Sequence, residues 1–191
     1  MAIRLLISDF DGTLADTFEA NYRAYQQAFS ECGLELTRNR YRECFGLRFD
    51  RFMDAMGIDD SDIRKAIQSK KGECYPDYME FLEVNQYLLD FIRAFRRSGG
   101  KTAIASTARE KNLHNALRHI GAEKDFDLIL AGESVSNGKP DPEIYLSVLE
   151  RLGINADEAL VFEDSEVGFK AATEAKIKYI PINNTFFSNG N

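Results

Sequence analysis

The chain has 191 residues, with 24 Lys and Arg against 31 Asp and Glu for a formal charge of −7, and 44% of it is apolar against 29% charged. That balance describes a mildly acidic globular protein with room for one α/β domain and something smaller. No apolar run approaches the roughly 18 residues of a membrane span, and the start, MAIRLLISDFDG, meets an acidic residue too early for a secretory signal.

A cytoplasmic protein is therefore expected, with no membrane partner. The basic residues are dispersed, and the densest patch, Arg93, Arg96, Arg97 and Lys101, reads as a solvated helix end, so no nucleic-acid partner is expected. Cys32, Cys44 and Cys74 are odd in number and lack metal-ligand spacing, which suits reduced, mostly buried thiols.

In chain order, Ile3 to Ser8 is apolar apart from Arg4, as a strand covered on both faces of a parallel sheet should be. It ends in Asp9-Phe10-Asp11-Gly12-Thr13. Helical stripes follow: Phe18, Tyr22, Tyr25 and Phe29; then Phe45, Phe49, Phe52, Met53 and Met56; then Ile63, Ile67 and Cys74. Four more short apolar runs, Thr102–Ala105, Leu128–Ala131, Ala159–Phe162 and Lys178–Ile182, read as strands. Helical faces stand before or between them: Leu88, Phe91, Ile92 and Phe95; Leu113, Ala116, Leu117 and Ile120; Tyr145, Val148, Leu149 and Leu152. Gly99-Gly100, Gly121 and Gly153 sit where helices should end, and Pro142 suits a first helical turn.

Strand alternating with helix predicts an α/β fold, a doubly wound parallel sheet with a Rossmann-like core. The first two strands are about ninety residues apart, where a crossover unit needs about thirty in all, so something is inserted. Its stripes are helical, so we expect residues 1–15 and 84–191 to form the α/β core and 16–83 a small α-helical domain. The return, Glu83-Val84-Asn85-Gln86, carries no Pro-Gly turn and leaves the second hinge poorly defined. Ser188–Asn191 forms a polar tail.

Active sites of open α/β sheets lie beyond the carboxyl ends of the strands, where this chain carries Asp9 and Asp11, Ser106 and Thr107, Glu163 and Asp164, with Lys139 before a later helix. Two carboxylates at i and i+2 of an extended segment point the same way, and Gly12 lets the backbone turn close to a ligand. One ionised carboxylate can attack phosphorus while its neighbour protonates the leaving oxygen, provided a cation relieves the crowded negative charge. Asp164 adds an oxygen ligand suited to Mg²⁺. Lys139 adds a fixed positive charge, and Ser106 a hydroxyl, for phosphate oxygens. The set is suited to phosphoryl transfer.

Asp9-Phe10-Asp11-Gly12-Thr13-Leu14 resembles the first motif of the haloacid dehalogenase-like superfamily, mostly magnesium-dependent phosphatases. Ala103-Ile104-Ala105-Ser106 resembles its second motif, and Gly138-Lys139-Pro140-Asp141-Pro142-Glu143-Ile144-Tyr145 the third in the sugar-phosphate branch. Phe162-Glu163-Asp164-Ser165 with Gly168 and Ala171-Ala172 resembles the fourth. The branch is the one containing β-phosphoglucomutase and phosphoglycolate phosphatase. The resemblance implies Asp9 as nucleophile forming an aspartyl-phosphate and Asp11 as general acid, then base. It implies Mg²⁺ held by Asp9, the carbonyl of Asp11 and Asp164, with Glu163 among the metal-site residues as a nearby ligand or one acting through the others. Phosphate would be held by Ser106, Thr107, Lys139 and the loop around Phe10, Asp11 and Gly12.

Each residue also has a plainer reading. Asp9 and Asp11 could form a strand-terminal turn with Gly12, Lys139 could cap a loop before Pro140, and Ser106 or, better, Thr107 could be a helix N-cap. Glu163 could orient Asp164 without touching metal. His114 and His119, lacking an acidic partner at ligand spacing, read as structural or surface groups.

In the resemblance, the helical insert is a cap of the first type, a lid that excludes water and carries substrate contacts. Candidates are Thr17, Asn21, Arg48, Lys70 and Lys71, although long cations on helices are usually solvated. The expected function is a magnesium-dependent phosphatase acting on a small phosphorylated metabolite, as a monomer or weak dimer. The alternatives are a phosphomutase of the β-phosphoglucomutase type and a non-catalytic regulatory relative. Asn21 stands where the mutases carry a titrating histidine, which favours hydrolysis. The presence of Asp11 disfavours a true dehalogenase.

Overall fold

The computed structural model describes residues 2–183 and Phe187, so the polar tail Ser188–Asn191 lies outside the described residues. Strands β1 (Leu5–Ser8) and β2 (Ala15–Asp16) come first. Helices α1 (Phe18–Glu31), α2 (Arg38–Cys44), α3 (Phe49–Ala55) and α4 (Ser61–Cys74) follow, then a 3₁₀ segment, Tyr75–Phe81. The remainder is β3 (Glu83–Val84), α5 (Gln86–Arg97), β4 (Lys101–Ala105), α6 (Glu110–His119), β5 (Leu128–Leu130), α7 (Glu143–Leu152), β6 (Ala159–Glu163), α8 (Glu166–Glu174) and β7 (Lys178–Pro181). The chain forms two compact units, Met1–Asp16 with Glu83–Asn191, and Thr17–Leu82.

In the first unit the five-stranded sheet has the order β5-β4-β1-β6-β7, and every pair is parallel. It is the expected doubly wound α/β core. β1 is central and buried at all four residues, which is why its sequence is a continuous apolar run and not an alternating one. Leu5 and Ile7 pack with Ala103, Ala105 and Val161 of the neighbouring strands against Tyr145 and Val148 of α7 and Ala171 and Ala172 of α8. The small alanines let helix and sheet approach closely. Ser8 stands level with Ile104 of β4 and Phe162 of β6, so the chain leaves all three strands at one edge. β1 is also where the winding reverses direction, the position at which such sheets bind ligands.

The second unit is helical, around a core of rings. Tyr22, Phe29, Tyr41, Phe52, Met53 and Ile67 are buried together, with Tyr25 edge-on to Phe52 at 5.0 Å between centroids and Phe18 tilted on Tyr41 at 5.4 Å. Thr37 caps α2, and Asp60 caps α4 by accepting from the amides of Asp62 and Ile63.

Several details depart from the sequence reading. The Phe45–Met56 stripe is not one helix: Phe45 ends α2, and a turn at Gly46 separates it from α3. Phe91 is 51% exposed, its ring meeting Phe162 edge-on at 6.0 Å. The return to the α/β unit is well defined, because β3 pairs antiparallel with β2 and Asn85 donates its amide N–H to Leu14 and its side chain to Thr13. Arg93 and Arg96 of the basic patch are paired with Asp125 and Asp127. The three cysteines are free thiols. Among the described residues no helix is long and apolar enough to cross a membrane.

Candidate active site

Asp9 follows the last residue of β1 and is buried, its amide donating to the Phe162 carbonyl at 3.0 Å. Glu163 is the last residue of β6 and Asp164 the next, while Lys139 reaches in from the loop before α7. Lys139 Nζ donates to Asp9 Oδ1 at 2.8 Å and to Glu163 Oε2 at 2.7 Å, and its side chain is 2% exposed. A buried ammonium bridging two buried carboxylates is a costly arrangement that persists only because every partner is satisfied.

Glu163 is the most heavily engaged group. Its Oε2 also accepts from the Tyr145 hydroxyl at 2.7 Å, and its Oε1 accepts from Ser165 Oγ at 2.7 Å and the Ser165 amide at 3.3 Å. Gly168 is glycine for the same reason, since a Cβ there would come within 1.9 Å of the Glu163 carboxyl carbon. Asp164 accepts from Thr13 Oγ1 at 2.9 Å. Gly12, at φ +84°, faces Asp164, and a Cβ on it would come within 2.2 Å of Oδ2. Its N–H is given to the Ala15 carbonyl at 2.8 Å, so this glycine supplies space and not an amide for phosphate. Ser106 Oγ, beyond β4, donates to Asp11 Oδ2 at 3.3 Å and accepts from the Ala108 amide at 3.0 Å.

The electrostatics follow from that crowding. Burial, and next the charge of Glu163, push the Asp9 carboxyl well above the ordinary carboxylate range despite Lys139. Burial and Glu163 raise Asp164 to about 6, against the opposing Thr13 bond. Burial also acts to raise Glu163, but Lys139, Tyr145 and Ser165 outweigh it and hold it below the usual value. Lys139 is the converse: burial would lower it, but Asp9, Tyr145 and Glu163 keep it well above an ordinary lysine. The site is short of positive charge.

Carboxylate oxygens of Asp9, Glu163 and Asp164 lie within 4.8 Å of one another, a hard-oxygen set that suits a divalent cation. Both Glu163 oxygens are already committed to Lys139, Tyr145 and Ser165. The cation therefore fits Asp9 and Asp164 better than Glu163.

Thr107 is not a helix cap: α6 begins at Glu110, and the Glu110 amide is capped from a distance by the Glu133 carboxylate at 2.9 Å. Ser106 accepts a local amide bond without being the cap residue of α6. His114 does have an acidic partner, Glu123, at 2.9 Å. In the helical unit, Thr17 precedes α1 and is buried, and Asn21 is buried one turn into that helix. Arg48 precedes α3 and is half-buried. Lys70 is committed to Glu31 at 2.7 Å, while Lys71 is buried with its ammonium 3.8 Å above the Tyr75 ring. Thr13, Tyr145 and Ser165 carry no site role in the sequence reading, although each stands inside one of the motif strings, and Tyr145 also stands out as a hydroxyl-bearing ring in the otherwise apolar stripe with Val148 and Leu149.

The family model for haloacid dehalogenase-like hydrolases matches residues 6–182. A phosphorylated carbohydrates phosphatase from Thermotoga maritima is 33% identical over 181 residues, covering 92% of this chain and 82% of its own. CbbY from Rhodobacter sphaeroides, in its crystal structure with phosphate, is similar at a TM-score of 0.87 and 27% identity, over 99% of this chain and 90% of that one. A β-phosphoglucomutase from Clostridium difficile shares the fold at a TM-score of 0.81 and 21% identity, over 95% of this chain and 85% of its own.

Proposed function

Because the chain belongs to the haloacid dehalogenase-like hydrolase family, as a phosphoric monoester hydrolase, we propose that it is a magnesium-dependent phosphatase of small phosphorylated carbohydrates that works through a phosphorylated Asp9. The observation that supports this most is the buried Asp9 carboxylate, fixed through one oxygen by Lys139 and crowded by the carboxylates of Glu163 and Asp164. Asp9 attacks phosphorus as the bond from phosphorus to the sugar oxygen breaks, and Asp11 gives that oxygen its proton. Asp11 then takes a proton from water as the water attacks phosphorus, which releases phosphate and restores Asp9.

Lys139 and Ser106 hold the non-bridging oxygens of the phosphoryl group, the Ser106 hydroxyl turning to phosphate from the bond it gives Asp11 Oδ2 at 3.3 Å. Asp9, the Asp11 carbonyl and Asp164 are the residues we assign to Mg²⁺, which when bound offsets the joint negative charge of phosphate and carboxylates. Glu163 stays outside that set and holds Lys139. Substrate selection is assigned to the helical unit, read as a cap, with Thr17, Asn21, Arg48 and Lys71 as its candidates; Lys70, tied to Glu31, is the weakest of the five.

The test is phosphate release from a panel of sugar phosphates with Mg²⁺ and with excess chelator. We expect several monophosphates to be hydrolysed, activity to vanish with chelator and to return with Mg²⁺. Undiminished activity in chelator would overturn the metal assignment. Fast isomerisation of β-glucose 1-phosphate primed with glucose 1,6-bisphosphate, with negligible phosphate release, would make the chain a mutase.

A further inference from the structure

A phenol closes the far side of the Lys139–Glu163 pair. Tyr145 is fully buried on α7, yet its neighbours on that face, Val148 and Leu149, need nothing polar, and phenylalanine would fill the same space. Its hydroxyl donates to Glu163 Oε2, the oxygen that also receives Lys139 Nζ, each at 2.7 Å. The Lys139 ammonium also lies 5.0 Å from the centre of the Tyr145 ring. With Ser165 on Oε1 and Gly168 packed against the carboxyl group, Glu163 has one orientation available. A lysine ammonium is a point charge on a flexible four-carbon stem, so its aim depends on such anchors.

We infer that Tyr145 is a positioning residue for the phosphate-holding lysine, fixing Glu163 with its hydroxyl and supporting the ammonium with its ring so that Nζ stays at Asp9. The inference rests on the phosphatase reading given above, in which Lys139 meets the phosphoryl group. Loss of the hydroxyl leaves a buried carboxylate oxygen one donor short, and Glu163 and Lys139 settle differently.

The test is Tyr145→Phe, alone and with Lys139→Met, read two ways. In turnover, the single change should lower kcat/KM about tenfold or more, the scale of one hydrogen bond to a charged group. Added to Lys139→Met it should cost nothing further, because its effect passes through that lysine. In a turnover-independent readout, the Lys139 ammonium resonance of isotope-labelled protein, identified by its loss in Lys139→Met, should shift and broaden in Tyr145→Phe. An unmoved resonance, independent losses in the double variant, or a Tyr145→Phe chain that fails to fold would each overturn the positioning role. If the wild-type protein hydrolyses no sugar phosphate with Mg²⁺, the phosphatase reading fails by itself, and the resonance still decides the question of Tyr145.

Discussion

The two units handle their charges in opposite ways. In the α/β unit, Asp9, Lys139 and Glu163 are buried in one interlocked cluster, with Tyr145 and Ser165 satisfying what the ion pairs leave over. In the helical unit, charges lie on the outside in simple pairs, Arg38 and Arg23 with Glu19, Arg64 with Asp54 and Lys70 with Glu31. Its core is rings and aliphatic side chains, and among the described residues the buried charge there is Lys71, its ammonium 3.8 Å from the centre of the Tyr75 ring. Buried charge is expensive and surface pairing contributes little, so the cost of an interlocked charge cluster is borne in the first unit, where the proposed phosphatase reading places its chemistry.

The largest break in that comparison is Asp9→Asn. It should abolish turnover, by about three orders of magnitude or more, while the nearly isosteric amide keeps the fold. Steady-state phosphate release beside a melting curve checks both halves.

Glycine substitutions come next. Gly168→Ala drives a methyl into Glu163 and should cost most of the activity, whereas Gly57→Ala, with nothing within 4 Å, meets only the strain of its φ of +69° and should leave kcat unchanged. Equal losses in the two would deny the tight site its special status.

Removing a lysine sharpens the contrast in stability. Lys139→Met strands two buried carboxylates and should destabilise by about 3–5 kcal/mol in urea unfolding, as broken buried pairs do. Lys70→Met breaks an exposed pair, and the same measurement should barely register it.

The smallest effect is a pH dependence. Burial acts to raise the Asp127 carboxyl, but the Thr102 amide and Arg96 outweigh it, and its value in the folded state lies below the ordinary 3.8. The unfolded chain then binds the proton more readily, so this stabilisation is present above 3.8 and is lost as pH falls through the depressed value. The gap in Tm between wild type and Asp127→Asn should be widest near neutrality and should narrow below that point.

Much of the α/β unit was legible because burial on both faces writes itself as apolar runs, and because Asp9, Asp11, Lys139 and Asp164 sit in short, specific strings. The rest was hidden for identifiable reasons. α2 is Arg38-Asn39-Arg40-Tyr41-Arg42-Glu43-Cys44, with only Tyr41 and Cys44 buried, too few to mark a face. β2 and β3 are two residues each, shorter than any periodicity. Thr107 read as a cap because the true one, Glu133, lies 23 residues from the amide it serves. Tyr145 read as core because a stripe shows that a ring is buried and not where its hydroxyl points. Local pattern reports burial; partners across the fold need coordinates.

If Asp9 carries the phosphoryl group as proposed, it can be trapped during turnover. Acid quench during turnover with Mg²⁺ and a hydrolysed sugar phosphate, followed by borohydride reduction, converts an acyl phosphate on aspartate to homoserine, which peptide mass spectrometry can place. That change is expected at Asp9 alone, absent without substrate and absent in Asp9→Asn. Reduction at Asp11, or none at all while turnover is fast and the quench captures a control aspartyl-phosphate, would contradict the assignment of Asp9.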